Sequence, residues 1–392
     1  MTEHMNEKPL RVLVATGIYP PDIGGPATHL GEVLPLLRAA GDQVQVVTFA
    51  DSASEGEEEG VRVVRISRAA SALVRMWRYI RALRSAVRQA DLMYVHDMSA
   101  AGLCAYLVSR ASDVPYVLRL GGDYVWESAF QNRATDSDYL TFQGQEPGWY
   151  RIRRTLGTMI AAGAEAIIVP SIFLREVVVR WGIAPEKVRV VPNAVAPVAS
   201  ESAAGSELLA HIRALREKGM RVAVTSGRFV RRKHIETVIR AAAEAPDVHL
   251  FVIGFGPEEG RYREVIAECG VTNRVAVISS QTRAVLSAVL AAADVFVLLD
   301  EGETFSFISL ESLLAGTPVI LTRAGALEEV FGAYEGRGVV FGERSVAAVA
   351  ACLRSPLPPR PPSGVREELA GRYSLDRHVA AVRAIMRGIY NS

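Results

Sequence analysis

The feature that most constrains the fold of this chain is a repeated alternation of short apolar runs with longer helical patterns. The first series consists of RVLVAT (11–16), VQVVT (44–48), VRVVRI (61–66), LMYV (92–95), YVLRL (116–120) and AIIV (166–169). The second consists of RVAVTS (221–226), HLFVIG (249–254), RVAVI (274–278), DVFVLL (294–299) and PVIL (318–321). Apolar strands that alternate with helices form parallel sheets covered on both faces. The chain is therefore predicted to be an α/β protein with two sheets in tandem.

The boundary between the two sheets is predicted near Ala196. The stretch at 193–207 is rich in Ala, Ser and Pro and lacks aromatic residues, which is typical of a linker. A length of 392 residues is sufficient for two domains. We therefore predict an N-terminal domain at 1–195, a C-terminal domain at 196–374 and a final amphipathic helix at 375–392.

Composition excludes several classes of protein. The 44 basic and 43 acidic side chains give a net charge of +1, which argues against a general nucleic-acid binder. Cys104, Cys269 and Cys352 have no CxxC spacing, so we expect neither a disulfide framework nor a zinc site. We find neither an apolar signal segment at 1–9 nor a run long enough to cross a bilayer. A cytoplasmic protein without a nucleic-acid partner is expected.

Two blocks of like charge stand out. Residues 51–59 hold five acidic side chains and no basic one, which predicts a solvated loop. Residues 61–90 hold eight arginines and no acid. Within them, the stretch at 71–89 has the pattern of a basic amphipathic helix, which could lie on an anionic membrane surface. The alternative is a surface helix whose apolar stripe packs on the sheet.

Two loops contain glycines in patterns that can indicate a binding site for an anion or a dinucleotide. Gly24 and Gly25 precede a helix after the first strand, where backbone N–H groups can receive an anion. The alternative there is a simple tight turn.

Residues 253–260 match GxGxxxG, but the acid that a dinucleotide site needs about 20 residues later is missing. A dinucleotide cofactor is therefore not expected.

The loop after the first strand of the second series carries two cations. Gly227 ends that strand, Arg228 follows it, and Lys233 precedes the next helix. Ligands of open α/β sheets bind at the carboxyl ends of the strands, and an Arg–Lys pair suits a diphosphate. The alternative is a pair of solvated loop charges.

The segment at 300–321 carries two carboxylates beside a helix start. Glu303 lies in the loop after strand 294–299, and Glu311 lies within the following helix. Carboxylates can accept hydrogen bonds from sugar hydroxyls, and the N–H groups of Phe305 and Ser306 can face a phosphate. The alternative is that Glu303 caps the helix and Glu311 is an internal ion-pair partner.

These motifs together resemble family 4 of the glycosyltransferases, which are retaining enzymes of the GT-B fold. The resemblance spans residues 10–390 and rests on PPDIGG (20–25), VPSIFLREVV (169–178), GIAPEKVRVVPNAV (182–195), GRFVRRK (227–233), IGFGPEEGRYREVIAECGVTNRVAVIS (253–279), Glu303-x7-Glu311 and LLAGTPVI (313–320). It implies two Rossmann-like domains with a cleft between them. The C-terminal domain would bind a nucleotide-sugar, the N-terminal domain would bind the acceptor, and the last helix would return to the first domain.

The resemblance also implies roles for individual residues. Arg228 and Lys233 would hold the diphosphate and neutralise the departing nucleotide, and Glu303 would contact the transferred sugar; these three are the candidate catalytic residues. The full candidate donor site consists of Gly24, Gly25, Gly227, Arg228, Lys233, Glu303, Phe305, Ser306 and Glu311, of which Glu311 would bind the ribose. Retention at the anomeric carbon is expected, and no nucleophile can be assigned.

Fixed cations and helix termini can stabilise a diphosphate leaving group without a metal. The DxD sequence at Asp136 and Asp138 has no strand before it, so we interpret it as a loop. No metal and no cofactor are therefore expected.

The chain departs from the family where many members place a His after the fifth N-terminal strand. Gly121 and Gly122 stand there instead. The candidate acceptor-binding residues are therefore taken from that loop and from the end of strand 92–95: His96, Asp97, Asp123 and Tyr124.

The sequence thus predicts a metal-independent hexosyltransferase. It would move a sugar from a nucleotide diphosphate to a glycan or lipid-linked acceptor in cell-envelope polysaccharide or glycolipid synthesis. The helix at 71–89 would contact the inner face of the cell membrane. The alternatives are a nucleotide-sugar epimerase of the same fold and a non-catalytic nucleotide-sugar-binding scaffold.

Overall fold

The computed structural model describes residues 8–22, 24–196, 206–354 and 356–391. Contacts divide the chain into two compact units. Unit 1 comprises the described residues up to Val125, Gln143–Pro192, and those from Leu375 onward; unit 2 comprises Trp126–Phe142 and Asn193–Ser374. Each unit contains one sheet with helices packed on it, so the two predicted α/β sheets are confirmed.

The sheet of unit 1 has the strand order β3-β4-β2-β1-β5-β6-β7-β8 and is parallel except where β3 joins β4. Its strands are β1 (Arg11–Ala15), β2 (Gln43–Ala50), β3 (Ser54–Glu58), β4 (Val61–Ser67), β5 (Leu92–Val95), β6 (Tyr116–Arg119), β7 (Ala166–Val169) and β8 (Val188–Val190). The helices that accompany them are α1 (Gly25–Ala39), α2 (Ala72–Ala86), α3 (Ala100–Ser112), α4 (Tyr124–Gln131), α5 (Trp149–Ala162) and α6 (Ile172–Arg180).

The last helix, α15 (Leu375–Tyr390), belongs to unit 1. Its apolar residues Val382 and Met386 share a buried cluster with Leu30 of α1 and with Val12 and Val14 of β1. Their spacing of four residues along α15 matches a helix that buries one face.

The acidic stretch at 51–59 is not the predicted loop. Residues Ser54–Glu58 form the exposed edge strand β3, which pairs antiparallel with β4. Glu55 accepts a hydrogen bond from Arg62 Nε at 3.1 Å, and Glu58 pairs with Arg65. The two charge blocks therefore neutralise each other across a hairpin, and such opposite-charge pairs favour strand pairing.

The sheet of unit 2 has the order β11-β10-β9-β12-β13-β14 and is parallel throughout its described pairs. Its strands are β9 (Arg221–Arg228), β10 (Val248–Phe255), β11 (Val275–Ile278), β12 (Val295–Leu298), β13 (Val319–Thr322) and β14 (Val339–Gly342). Its helices are α7 (Glu207–Glu217), α8 (Ile235–Ala243), α9 (Glu259–Glu268), α10 (Arg283–Ala292), α11 (Phe307–Leu314), α12 (Leu327–Phe331), α13 (Val346–Arg354) and α14 (Ser363–Arg372).

The segment Trp126–Phe142 belongs to unit 2, whereas the sequence analysis assigned it to the N-terminal domain. Tyr139 and Trp126 lie so close to Gly302 that a Cβ atom at Gly302 would be 2.3 Å and 2.8 Å from their rings. The N–H of Arg231 also donates to Gln131 Oε1 at 2.8 Å. These contacts join residues far apart in the chain, and no local pattern encodes them.

Candidate functional site

Lys233 is placed by a short 3-10 turn, Arg231–Lys233, that follows β9. Its ammonium is buried at the carboxyl edge of the unit 2 sheet, where Nζ lies 3.1 Å from Asp300 Oδ2 and 3.4 Å from Glu303 Oε2. Gly227 makes room for this side chain, since a Cβ atom there would lie 3.2 Å from Lys233 Cε. The structure thus brings together three of the predicted donor-site residues, Gly227, Lys233 and Glu303.

Asp300 holds this site together and was not singled out from the sequence. It lies two residues after the end of β12, is fully buried, and forms ion pairs with Arg232 and Lys233. Burial alone would raise the pKa of its carboxyl, but the two adjacent cations outweigh burial and lower that pKa below its usual value. The available signal was an acid shortly after a buried strand, at the edge where ligands bind.

Arg228 is the last residue of β9 and is exposed. Its guanidinium has no ion-pair partner within 4.0 Å among the residues that the structure describes. Nearby, the half-buried carboxyl of Glu127 lies 3.9 Å from Arg232 Nη2. Burial raises the pKa of Glu127, while Arg232 and Arg228 oppose that rise. Arg228 is therefore an accessible cation at this edge of the sheet.

The loop that carries Glu303 is held against the chain after β13. The main-chain oxygen of Glu303 accepts a hydrogen bond from the N–H of Ala326 at 2.7 Å. Gly325 permits this approach: its φ is +60°, and a Cβ atom there would lie 2.2 Å from that oxygen. Glu303 does not cap α11, because Ser306 is the residue at the N-cap.

Phe305 and Ser306 form the start of α11. Phe305 is buried and packs edge-to-face on Tyr373, with 5.3 Å between ring centroids. Ser306 has a φ of +69°, and its hydroxyl oxygen accepts a hydrogen bond from the N–H of Ser309 at 3.4 Å. Unpaired N–H groups at this helix start would favour an anion.

Glu311 lies within α11 and forms an ion pair with Arg283, the first residue of α10. Glu311 Oε1 accepts a hydrogen bond from Arg283 Nε at 3.1 Å. The ion-pair partnership considered as an alternative is thus present, and ribose binding by Glu311 stays a prediction.

The glycines of the GxGxxxG match have steric roles. A Cβ atom at Gly254 would lie 1.9 Å from the main-chain oxygen of Gly227, and one at Gly256 would lie 2.5 Å from that of Phe229. Both have φ values of +152°. At Gly260, no heavy atom lies within 4 Å of the added Cβ. Gly254 and Gly256 therefore allow β10 and the following loop to lie against the segment that carries Arg228.

In unit 1, a cavity of about 400 Å³ opens at the carboxyl edge of the sheet. Two predicted acceptor-binding residues, His96 and Asp97, line it together with Thr16, Gly17, Ile18, Pro26, Phe49, Arg68, Arg75, Ser99 and Ala100. Arg75 lies 5.7 Å from the centroid of the Phe49 ring. Asp97 also organises the loop, since its Oδ1 accepts a hydrogen bond from the N–H of Ser99 at 2.8 Å.

The other two predicted acceptor-binding residues differ in access. Asp123 is fully buried; its carboxylate pairs with Arg154 and accepts a hydrogen bond from Gln143 Nε2 at 3.0 Å. Tyr124 is exposed, and the guanidinium of Arg153 stacks 4.4 Å from its ring centroid. Neither residue lines the 400 Å³ cavity.

The predicted glycine pair lies at the start of α1. Gly24 is the N-cap and Gly25 is the first helical residue. A Cβ atom at Gly24 would lie 2.8 Å from Ile18 Cδ1, whereas Gly25 has open space around it. A side chain at Gly24 would therefore displace Ile18, and Gly25 leaves the helix start uncovered.

Three imidazoles form a buried cluster in unit 1. His29 of α1 stands 5.4 Å from His96 and 4.8 Å from His378 of α15, measured between ring centroids. Burial lowers the pKa of all three, and the pKa of His378 falls to about 4. His378 Nδ1 lies 2.7 Å from the main-chain oxygen of Pro192. Because that oxygen can only accept, the neutral ring carries its proton on Nδ1 and donates it to Pro192.

The DxD sequence lies in loop structure, as expected. Asp136 pairs with Arg231, and Asp138 accepts hydrogen bonds from the N–H groups of Leu140 and Thr141 at 2.9 Å and 3.0 Å. Within the described ranges, no group of three His, Cys, Asp or Glu side chains is arranged to hold a metal ion.

Two family models match the chain, and both describe glycosyltransferases. "Glycosyltransferase Family 4" matches residues 23–198, and "Glycosyl transferases group 1" matches residues 210–357. The chain belongs to glycosyltransferase family 4. Each model covers the greater part of one of the two predicted domains.

Curated relatives of this family 4 chain include the lipopolysaccharide core biosynthesis glycosyltransferase LpsE of Rhizobium meliloti, 39% identical over 26% of this chain. The match spans 30% of the length of LpsE. One component of the phosphatidylinositol N-acetylglucosaminyltransferase of Arabidopsis thaliana is 23% identical over 83% of this chain and 70% of its own length.

Solved structures show the same fold along nearly the whole chain. Sucrose-phosphate synthase from Thermosynechococcus elongatus superposes with a TM-score of 0.78 at 18% identity, covering 97% of this chain and 99% of that one. Anabaena HepE in complex with UDP-glucose gives a TM-score of 0.72 at 17% identity, covering 97% and 100%. This family 4 chain therefore has the GT-B fold that its sequence predicted.

Proposed function

We propose that this chain transfers a hexose from a nucleotide diphosphate sugar to a glycan or lipid-linked acceptor, with retention at the anomeric carbon and without a metal. The observation that carries the proposal is the pair of cations at the carboxyl edge of the unit 2 sheet. Lys233 is buried beside Asp300 and Glu303, and Arg228 is exposed at the end of the preceding strand, β9. A solved neighbour with this fold, HepE, was obtained with UDP-glucose.

The reaction breaks the bond between the anomeric carbon and the diphosphate oxygen. Negative charge then develops on the departing nucleotide. A positive side chain stabilises that charge most when it is already held in position and does not have to move during the reaction. Lys233 meets that condition because Asp300 and the packing around Gly227 hold its side chain in place. Arg228 and the start of α11 would supply the remaining donors, and Glu303 would contact hydroxyls of the sugar.

The acceptor is assigned to the 400 Å³ cavity of unit 1. His96 and Asp97 offer polar groups, Phe49 offers an aromatic surface of the kind that sugars and apolar groups contact, and Arg75 offers a positive charge. The acceptor hydroxyl would attack from the face that the diphosphate leaves. Its oxygen would bond to the anomeric carbon as the bond to the diphosphate breaks, and its proton would pass to the departing phosphate oxygen. A role in cell-envelope polysaccharide or glycolipid synthesis at the inner face of the membrane is supported by the likeness to LpsE and by the basic helix α2.

A panel of UDP-, GDP- and ADP-sugars tests the donor assignment by thermal shift. A ligand at about 100 times its Kd adds roughly 2.7 kcal/mol to the free energy of unfolding, which is readily measured. We expect one nucleotide class to stabilise the protein, with EDTA making no difference. No stabilisation by any member of the panel would refute the donor site.

Product analysis then separates transfer from the alternatives. With a glycolipid extract as acceptor, a glycosyltransferase releases nucleoside diphosphate only when acceptor is present. An epimerase converts the nucleotide-sugar to its isomer without acceptor. A scaffold protein binds the donor and leaves it unchanged.

A further inference from the structure

Exposed apolar side chains are concentrated on one part of unit 1. Of the eleven large apolar residues that are exposed among the described residues, eight lie on α2, α3 and α5. The most exposed of these eight are Leu73 at 81%, Trp149 at 65%, Trp77 at 59% and Ile152 at 58%. Isolated exposed apolar residues are normal, but such clustering marks an interaction surface.

The three helices lie side by side on one face of the sheet. Contacts join α2 to α3 and α3 to α5. From β1 to β2 the chain crosses through α1 towards the β3 edge of the sheet. The later crossovers, from β4 to β5, β5 to β6 and β6 to β7, run towards the β8 edge, and they contain α2, α3 and α5, respectively. Because such crossovers are right-handed, α2, α3 and α5 lie on the face opposite α1. We name their outer side the α2–α3–α5 surface.

On α5 the exposed apolar residues form a regular stripe. Trp149, Ile152, Leu156 and Met159 are spaced by three or four residues, so they lie on one side of the helix. The buried residues of α5 are Arg154, Gly157, Ile160 and Ala161. An amphipathic helix normally turns its apolar side inward, whereas α5 leaves its apolar stripe exposed.

The charge of this surface has one sign. The residues of α2, α3 and α5 include eight arginines, of which Arg154 is buried, and no acidic side chain. Several of these arginines flank the apolar residues; the guanidinium of Arg81, for example, lies 5.8 Å from the Trp77 ring centroid. A surface that combines tryptophan, aliphatic side chains and arginines complements the interface of an anionic bilayer.

We propose that the α2–α3–α5 surface docks on an anionic membrane, with the Trp149–Ile152 end of α5 and Leu73 and Trp77 of α2 both inserting into it. This inference adds a membrane contact to the proposed function. Its preference for a lipid-linked acceptor rests on that function. It adds a second inserting helix to the contact expected from 71–89 alone. Arg75 of α2 and Ala100 of α3 line the 400 Å³ cavity, so the cavity borders this surface. An acceptor anchored in the bilayer by a lipid can therefore reach the cavity, and a lipid-linked acceptor is favoured over a soluble glycan.

Vesicle co-sedimentation of the full chain tests the surface. The vesicles contain phosphatidylcholine alone or with about a third phosphatidylglycerol, and the variants are Trp149→Ala/Ile152→Ala, Leu73→Ala/Trp77→Ala and the control Phe255→Ala. Phe255 is 50% exposed but lies in unit 2. Truncating exposed side chains should leave the fold intact, which thermal melting checks.

We expect wild type and Phe255→Ala to co-sediment with anionic vesicles and not with neutral ones. Each double variant should bind about tenfold more weakly, from the lost burial of two apolar side chains. Wild-type binding by the α5 variant would overturn the proposal, and so would equal binding to neutral vesicles. A dimer in solution that the α5 variant dissociates would also overturn it, by assigning the surface to a second copy of this chain.

The assay needs no sugar donor, so it separates this proposal from the proposed function. If the donor panel shows no binding while anionic vesicles are bound through α5, the donor site is refuted and the surface stands. If the donor binds and the vesicles do not, only the surface is refuted.

Discussion

The ammonium of Lys233 lies 3.1 Å from Oδ2 of Asp300, a fully buried carboxylate at the end of a central strand. The same carboxylate pairs with Arg232. A buried anion between two cations fixes the Lys233 side chain before any substrate arrives, and pre-positioned charge is what stabilisation of a leaving group requires. The network therefore connects the packing of unit 2 with its proposed chemistry.

Replacing Asp300 with Ala should lower the free energy of unfolding by about 3 kcal/mol, because it removes the fully buried carboxylate that two largely buried cations share. The control is Asp247→Ala, which removes an exposed partner of Arg221 and should cost less than about 1 kcal/mol. Urea unfolding of both variants measures the difference. Equal stabilities of the two variants would contradict the structural role of Asp300.

Replacing Lys233 with Ala should weaken binding of the nucleotide donor by about 1 to 3 kcal/mol, the usual cost of losing a charge-assisted hydrogen bond. Lys218→Ala is the matched control, since Lys218 is an exposed lysine at the end of α7 in the same unit. Titration calorimetry with the nucleotide found in the donor panel gives both affinities. Unchanged affinity in Lys233→Ala would remove this residue from the site.

Glu311→Ala should also weaken donor binding by about 1 to 3 kcal/mol if the carboxylate accepts hydrogen bonds from the ribose. Its ion pair with Arg283 allows the two roles to be separated. A ribose ligand predicts that Glu311→Ala loses affinity and Arg283→Ala loses much less. A purely structural ion pair predicts similar losses of stability in both variants and no loss of affinity in either, and that result would exclude ribose binding.

The sequence was most informative where local patterns encode the structure. Apolar runs predicted the strands because a strand buried on both faces has to be apolar throughout. The edge strand β3 escaped prediction because its stability comes from charge pairs with β4, such as Glu55 with Arg62, and not from an apolar pattern. The acidic run by itself resembles a solvated loop.

Within the site, motif spacing placed Lys233 and Glu303 together, since both follow neighbouring parallel strands at the same edge. Spacing gave no information on Asp300 or Glu127, whose importance depends on which charges surround them after folding. Asp123 illustrates the reverse case. Its position after a strand suggested a ligand contact, but Arg154 comes from a distant helix and pairs with its buried carboxylate.

Acid should loosen the docking of α15. The pKa of His378 is about 4 in the folded protein, below the usual 6.5, so the unfolded chain binds more protons between these values. The contribution of neutral His378 to the free energy of unfolding is fully present above pH 6.5 and is lost as the pH falls towards 4. His378 alone should cost about 2 kcal/mol between pH 7 and pH 5.

Hydrogen exchange of the α15 amides, corrected for intrinsic rates, measures this effect. Protection should fall between pH 7 and pH 5 in wild type and fall less in His378→Gln, which keeps a hydrogen-bond donor but does not titrate. The remaining decrease in the variant is assigned to His29 and His96, whose pKa values burial also lowers. An unchanged pH dependence in His378→Gln would contradict the prediction.

The glycines beside the site offer the clearest steric test. Gly254→Ala places a Cβ atom 1.9 Å from the main-chain oxygen of Gly227, at a φ of +152° that alanine rarely adopts. We expect a loss of more than about 3 kcal/mol in the free energy of unfolding, since strained backbone and overpacking add. Gly260→Ala meets open space within α9 and should stabilise by up to about 1 kcal/mol. Because Gly227 also borders Lys233, a folded Gly254→Ala protein should bind the nucleotide donor more weakly than Gly260→Ala does. Equal melting temperatures of the two variants would show that the loop after β10 can move away from β9, and that Gly254 does not hold the lysine-bearing segment in place.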